Sequence, residues 1–252
     1  YIDTSGEPLF KRGWRQDKGD APLKETLAAA MLAASGWWNP ETGEVAKAPL
    51  YDPCCGSGTI AIEAAQIASG IAAGSLRRFG FEKLLPFQAH VWAAIKNEAA
   101  NAQHASAIAV FGSDVSHRMV DFAERNAERA GVAGAIEFRG GDALQRMPPA
   151  EGGVIMLNPP YGERIEVGGV ARFGAREAAQ TPGDGEGGDG GDFFPQLATH
   201  WKKNYAGWTA WVLTPDLKLP KQMRLKESRR VPMWNGPIEC RLFRFDMVRG
   251  SN

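Results

Sequence analysis

Four short features of the sequence carry side chains that could hold a ligand and orient a reacting group. One is the glycine-rich stretch DPCCGSGT, residues 52–59, which follows a short apolar run. Two more are the carboxylates Asp114 and Asp142, and the fourth is NPPY, residues 158–161. Carboxylates beside a glycine turn can accept hydrogen bonds from sugar hydroxyls and amines, and glycine lets a ligand approach the backbone closely. An Asn-Pro-Pro-Tyr segment can present an amide oxygen beside an aromatic ring.

The two prolines of NPPY predict that the chain leaves a strand as a stiff loop. Pro159 and Pro160 lack a backbone donor, fix φ and hold the residue before each of them extended. Asn158 and Tyr161 are then presented at a strand end with little conformational freedom to lose on binding. In the simplest alternative, this loop only terminates a strand.

The glycine turn alone does not identify a ligand. Gly56 and Gly58 fit a turn that contacts a ligand, and GSGTIA also satisfies the dinucleotide pattern G-x-G-x-x-A. Asp114 and Asp142 end two successive predicted strands, and ligands of open α/β sheets bind outside such ends. Each Asp alone could cap a helix or a turn. Their joint placement favours acceptors for a ribose and for an exocyclic amine.

Apolar runs that alternate with helical patterns predict an α/β fold with a mostly parallel sheet flanked by helices. Predicted strands cover 48–53, 107–115, 135–143, 153–160 and 208–216, and predicted helices cover 59–69, 117–132 and 193–205. The stretch 229–248 contains Asn235-Gly236 and predicts a terminal hairpin with an antiparallel strand.

Two segments interrupt this alternation within a single predicted domain, residues 1–252. Residues 70–106 are too long for a tight connection and contain a helical pattern, so they predict a helical insertion. Residues 166–191 contain nine glycines and little apolar material, which predicts a flexible loop with a disordered Gly/Asp-rich end. Trp37, Trp38, Trp208 and Trp211 are predicted to pack in the core.

Composition excludes some classes of protein and leaves others open. No apolar run approaches the roughly 18 residues of a membrane span, and the start is not a signal peptide. The chain lacks an initiator Met and is interpreted as a fragment of a longer one. Three cysteines form no disulfide framework or CxxC site, and the four histidines have no ligand spacing. We therefore expect no membrane, no metal and a reducing, cytoplasmic setting.

Charge is uneven along the chain although the formal net charge is zero. Residues 201–252 hold 11 Lys or Arg against 4 Asp or Glu, a balance of +7. Residues 151–200 hold 3 against 8, a balance of −5. The basic part is either a solvated face or a surface that follows a phosphate backbone.

The ordered set of motifs resembles class I S-adenosylmethionine-dependent amino methyltransferases, which have a Rossmann-like fold. APLKETLAAAMLAASGW, DPCCGSGTIAIEAA, RRFGFEKL, NPPYGERI and NGPIECRLFRF together resemble a narrower group. That group is the THUMP-associated bacterial 23S ribosomal RNA guanine-N2 methyltransferases. The likeness runs over nearly the whole chain and implies large-subunit ribosomal RNA as partner. The THUMP domain expected on the amino-terminal side is absent from this sequence.

The resemblance implies a site for S-adenosylmethionine, with Asp114 on its ribose and Asp142 on its adenine amine. The implied cofactor-binding residues are Asp52, Cys54, Gly56, Gly58, Thr59, Asp114, Asp142, Lys24 and Thr26. Lys24, Glu25 and Thr26 resemble the family segment that closes over the cofactor; alternatively, they cap a helix. Cys54, like Cys55, is alternatively a small packing residue.

The resemblance also implies catalytic roles for Asn158, Pro159, Pro160 and Tyr161. The Asn158 oxygen and the Pro159 carbonyl would accept the hydrogens of a base amine, and Tyr161 would stack on the base. NPPY does not separate guanine N2 from adenine N6, whereas the whole-chain likeness favours guanine in RNA. Two other classes stay open: a non-catalytic nucleotide-binding or RNA-docking module, and a nicotinamide-dependent oxidoreductase.

Overall fold

The structure, a computed structural model, describes residues 2–19, 22–159 and 193–248. Pro160, Tyr161 and the segment 166–191 lie outside these described residues. The strands are β1 Leu50–Asp52, β2 Val110–Asp114, β3 Ile136–Gly140, β4 Gly153–Leu157, β5 Trp208–Thr214, β6 Arg229–Asn235 and β7 Ile238–Asp246. The helices are α1 Glu25–Ser35, α2 Thr59–Ala68, α3 Ala89–Asn101, α4 His117–Arg129, α5 Phe193–Asn204 and α6 Leu219–Met223.

Within the described ranges, seven strands form one sheet in the order β3-β2-β1-β4-β5-β7-β6. Neighbouring strands from β3 to β5 pair in parallel, and β7 runs antiparallel to both β5 and β6. The hairpin predicted at Asn235-Gly236 joins β6 to β7, with Gly236 at a φ of 63°. Strand order reverses between β1 and β4, and ligands of open α/β sheets bind at such a point. The predicted fold class is confirmed.

Side chains alternate between two cores because successive residues of a strand face opposite sides of the sheet. On β5, Trp211 and Leu213 pack toward the core that includes α1 and α2. Ala210 and Val212 pack toward the core that includes α5 and α6. Helices thus cover both faces of the sheet.

Three of the four predicted core tryptophans, Trp37, Trp208 and Trp211, are buried, and Trp38 is only partly buried. The insertion differs from the rest of the fold. Helix α3, inside the predicted helical segment, has no buried residue. Its aromatic anchor is Trp92, whose ring lies edge-on to Phe79 and Phe81 at centroid distances of 5.6 and 5.0 Å.

Candidate functional site

Three polar side chains predicted from the sequence stand at the ends of adjacent strands. Asp52 is the last residue of β1, Asp114 is the last residue of β2, and Asn158 directly follows β4. Asp52 is buried, and Asn158 and Asp114 are half-buried. Because β2, β1 and β4 are parallel neighbours, their carboxyl ends share one edge of the sheet, next to the reversal of strand order.

Asp142 lies at the same edge, two residues beyond the end of β3, where the prediction had extended the strand to residue 143. Its Oδ1 accepts the Leu144 N–H over 2.9 Å, so the residue starts a turn. The Gly141 N–H donates to the Asp114 carbonyl over 2.9 Å and keeps this turn beside β2.

The glycine loop between β1 and α2 uses its own backbone amides internally. The Gly56 N–H donates to Asp114 Oδ2 over 2.9 Å and so ties the loop to β2. The Cys54 N–H donates to the Asp52 carboxylate over 3.2 Å, and the Cys55 N–H donates to the Ser113 carbonyl over 2.8 Å. The Gly58 N–H donates to the Cys55 carbonyl over 2.8 Å. In dinucleotide-binding loops, such backbone amides bind the pyrophosphate. Here the amides already have partners, so they cannot bind a pyrophosphate as well.

Gly56 and Gly58 adopt left-handed conformations, with φ of 52° and 88°. A Cβ on Gly58 would lie 3.0 Å from the Ala123 Cβ, so this glycine also permits close packing on α4. A Cβ on Gly56 would meet nothing within 4 Å, so the space above it is open. Gly56 therefore marks where a ligand can approach the backbone.

Burial controls the charge of the site. It raises the pKa of Asp52 to about 8, with a smaller contribution from the nearby negative charge of Asp114. Burial also raises the pKa of Asp114, against the hydrogen bonds from the Gly56 and Ser116 amides. The Cys54 pKa is raised well above its usual range by burial and by the neighbouring carboxylates. The site thus offers acceptors for neutral donors, and its thiol stays protonated.

An ionic network that the sequence analysis did not find joins the amino-terminal segment to this loop. Arg15 Nε lies 3.1 Å from Glu25 Oε1, and Arg15 Nη2 donates to Thr59 Oγ1 over 2.7 Å. Arg12 binds Glu63 through two nitrogens, at 3.1 and 3.2 Å. The sequence contained one indication of this network: Glu63 lies within an otherwise apolar helix pattern, and a buried carboxylate requires a partner.

Of the predicted Lys24-Glu25-Thr26 segment, the structure links the middle residue to the loop, through Arg15. The side chains of Lys24 and Thr26 are exposed. The Lys24 ammonium lies 5.2 Å from the centre of the Phe10 ring. Cofactor contacts of Lys24 and Thr26 stay predictions.

Asn126 on α4 is a second residue that the sequence analysis missed, since it lies among charged residues of a surface-type helix. Its side chain is fully buried. Nδ2 donates to the Ser57 carbonyl over 3.0 Å and to the Asp17 carbonyl over 2.8 Å. Oδ1 accepts the Gln16 and Asp17 amides at 3.2 and 3.3 Å. One side chain thus fixes the glycine loop and the amino-terminal segment together.

In the described part of the chain, no group of three or more His, Cys, Asp or Glu side chains could hold a metal ion. Among its helices, none is long and apolar enough to cross a bilayer.

Comparison with known proteins gives concordant results. Residues 12–171 match the family described as RMKL-like, methyltransferase domain. A relative from Shewanella baltica (strain OS185), named ribosomal RNA large subunit methyltransferase K/L, is 42% identical over 244 residues. That match covers 95% of this chain and 31% of the relative, so the chain spans about a third of the length of the curated relatives.

Two solved structures share the fold. SMU.472 in complex with SAH has a TM-score of 0.80 at 28% identity, covering 99% of this chain and 59% of that one. A protein from Listeria monocytogenes, described as a predicted N6-adenine-specific DNA methylase, has a TM-score of 0.77 at 31% identity, with coverages of 97% and 56%. The architecture is that of class I methyltransferases, and this chain belongs to the RMKL-like methyltransferase domain family.

Proposed function

We propose that this domain transfers a methyl group from S-adenosylmethionine to an exocyclic base amine, with guanine N2 of 23S ribosomal RNA as the target. One observation carries the proposal: Asp52, Asp114 and Asn158 meet at one sheet edge beside a glycine loop whose amides are already bonded. The family and the ribosomal RNA methyltransferase name of the Shewanella relative support methylation of ribosomal RNA, and guanine N2 rests on the resemblance of the motifs.

The hydrogen-bond acceptors of the site fit S-adenosylmethionine better than they fit a dinucleotide. A ribose diol and an adenine amine are neutral donors, which half-buried carboxylates such as Asp114 and Asp142 can accept. A pyrophosphate would need loop amides, but the Gly56 N–H is bonded to Asp114, and its charge would be repelled by the same carboxylates. These features count against the nicotinamide-dependent alternative.

The chemistry we assign to this chain is the orientation of a weak nucleophile. A base amine delocalises its lone pair into the ring, so Asn158 Oδ1 and the Pro159 carbonyl would accept its hydrogens and aim the lone pair. Tyr161, outside the described residues, would stack on the extruded base. The bound cofactor supplies an electrophilic methyl group, and the protein's acceptors hold the amine in line with it.

Selection of the RNA target depends on the longer protein as well as on this domain. The chain spans 31% of the Shewanella relative. From the resemblance to the THUMP-associated group, we infer that an additional RNA-binding domain of THUMP type directs the full-length enzyme. The Listeria structure's description keeps adenine N6 as the second candidate. Mass analysis of nucleosides from methylated ribosomal RNA separates the two, because N2-methylguanosine and N6-methyladenosine are different products.

Calorimetry with S-adenosylmethionine and with NAD tests the cofactor. Asp114→Ala should weaken S-adenosylmethionine binding about ten- to a hundredfold, as expected for lost hydrogen bonds to a charged group. Asp121→Ala, an exposed carboxylate on α4, is the control. Tighter binding of NAD than of S-adenosylmethionine, or unchanged affinity in Asp114→Ala, would contradict the assignment. Cofactor binding with no methyl transfer to any RNA would favour the non-catalytic module.

A further inference from the structure

A concave basic surface lies between α5 and α6. The cleft has a volume of about 520 Å³ and is lined by Pro195, Lys218, Lys221, Gln222 and Arg224. We propose that it binds a phosphate of the substrate RNA strand beside the target base, an inference that rests on the proposed function.

The cations of the cleft form no salt bridge within the described part of the chain. Three of the five lining residues are cations, and none of the ion pairs there includes them. The neighbouring carboxylate, Asp216, accepts the Lys218 backbone N–H over 2.8 Å and the Gln222 side chain over 2.7 Å. Asp216 therefore pairs with no cation among the described residues, and its single negative charge leaves an excess of positive charge over the three cations. A concave surface with cations of one sign focuses its field on an anion.

Arg224 gives a second, independent indication. Among the described residues, it alone adopts a positive φ without being glycine, at 48°. It caps the carboxyl end of α6, a position where glycine has no steric cost. An arginine held in this conformation costs stability, and such strain concentrates at functional sites. The Arg224 carbonyl also accepts Lys202 Nζ over 2.8 Å, which brings a fourth cation to the rim.

Topology places the cleft near the candidate catalytic loop. Leu157, directly before Asn158, pairs in parallel with Val212 of β5. Strand β5 ends at Thr214, and α6 begins at Leu219. The cleft therefore opens at the same carboxyl edge as Asn158, one strand away. A base extruded into a pocket leaves its flanking phosphates outside, where such contacts position the strand.

The test compares Lys218→Ala, Lys221→Ala and Arg224→Gly, singly and combined, with Lys47→Ala. Lys47 is an exposed lysine before β1, at the opposite edge of the sheet. Affinity for a fluorescein-labelled single-stranded RNA oligonucleotide is measured over a salt series, beside calorimetry with S-adenosylmethionine and thermal melting. The triple variant should raise the RNA Kd about tenfold or more and reduce the salt slope by about 2.

Three further results are expected. Cofactor affinity should stay unchanged in every variant, and Lys47→Ala should bind RNA as the wild type does. Arg224→Gly should melt at or above the wild-type temperature while binding RNA more weakly, because glycine relieves the left-handed strain. A stabilised protein with weaker RNA binding is a result that a purely structural role of Arg224 does not produce.

If the triple variant binds RNA with the affinity and salt slope of the wild type, the RNA-binding role of the cleft is rejected, while the proposed function stays intact. Tighter RNA binding in that variant would also reject this role of the cleft, because the cations would then neutralise the acidic part of the chain itself, residues 151–200. Absence of RNA binding by the wild-type domain would likewise overturn the role of the cleft, whereas absence of S-adenosylmethionine binding in the calorimetry would reject the proposed function.

Discussion

The amino-terminal segment and the insertion differ in which side chains they bury and which they expose. The amino-terminal segment, residues 12–17, packs polar groups against α2 and α4, and the Arg12 and Arg15 side chains are only 12% and 10% exposed. The insertion, residues 70–106, leaves apolar groups in solvent around α3. Leu85 is fully exposed, and Val91 and Ile95 are 44% and 49% exposed.

This difference indicates which segment positions the candidate site and which segment does not. A buried polar group that loses its partner costs about 1–3 kcal/mol, so the amino-terminal segment and the glycine loop tolerate few arrangements. An exposed apolar side chain contributes little to the fold of this domain, and a contiguous exposed patch is typical of a surface that another element covers. We expect substitutions in the first region to alter the site and substitutions in the second to leave it intact.

The largest expected effect is at Asn158. Asn158→Ala should reduce single-turnover methyl transfer about a hundredfold or more, the scale of losing a positioned polar group at a reacting centre. Melting temperature and S-adenosylmethionine affinity should stay near wild type. Asn39→Ala, on a surface loop before the sheet, is the matched control. If NPPY only ends a strand, stability and activity should instead fall together.

A smaller effect is expected at Asn126, which joins both parts of the buried region. Asn126→Asp keeps an acceptor for the Gln16 and Asp17 amides but loses the donor to the Ser57 carbonyl. If the Ser57 contact holds the glycine loop, cofactor affinity should fall about tenfold, or 1.4 kcal/mol.

Gln66→Ala is the matched control for Asn126, because Gln66 is a buried amide that donates to the Ala130 carbonyl over 3.1 Å, away from the loop. It should lower the melting temperature without changing cofactor affinity. If Asn126→Asp does not fold, Asn126→Ala is compared with Asp17→Ala, which loosens the segment but keeps the Ser57 contact. Equal cofactor affinity in both members of either pair would reject the positioning role.

Most elements of the fold were predictable because hydrophobic periodicity is local, whereas α1 and α6 were not predicted. The alternation of apolar runs and helical patterns gave the parallel strands, and Asn235-Gly236 gave the hairpin. The end of β3 was predicted too late, since the backbone after Gly140 turns at Asp142. Strand boundaries of this kind depend on turn geometry rather than on periodicity.

The candidate site was predictable only where its residues form sequence motifs. Asp52, Asp114 and Asn158 follow apolar runs, so topology alone brings them together. Contacts such as Arg12 with Glu63 and Asn126 with Ser57 join residues 51 and 69 positions apart. No spacing rule predicts such pairs, and a buried Asn in a charged helix resembles a surface residue until the fold is known.

The pH dependence of stability tests the effect of burying Asp52. Because burial raises the Asp52 pKa from 3.8 to about 8, the folded state keeps a proton that the unfolded state has released. Stability should therefore fall as pH rises through this window, by up to about 1.4 kcal/mol per pH unit. Asp52→Asn should flatten the decline in urea melts without ligand, whereas Asp121→Asn should not. The same slope in Asp52→Asn and wild type would contradict the origin assigned here.

The smallest effect is expected in the insertion. Leu85→Ser should change the free energy of unfolding by less than about 0.5 kcal/mol, because a fully exposed side chain loses no buried surface. Leu32→Ala in α1, where the leucine is fully buried, should cost about 2–5 kcal/mol. Urea unfolding of both variants measures the contrast, and cofactor affinity should be unchanged in Leu85→Ser. A loss above 1 kcal/mol at Leu85 would show that the insertion stabilises the domain itself, and the comparison between the two segments would fail.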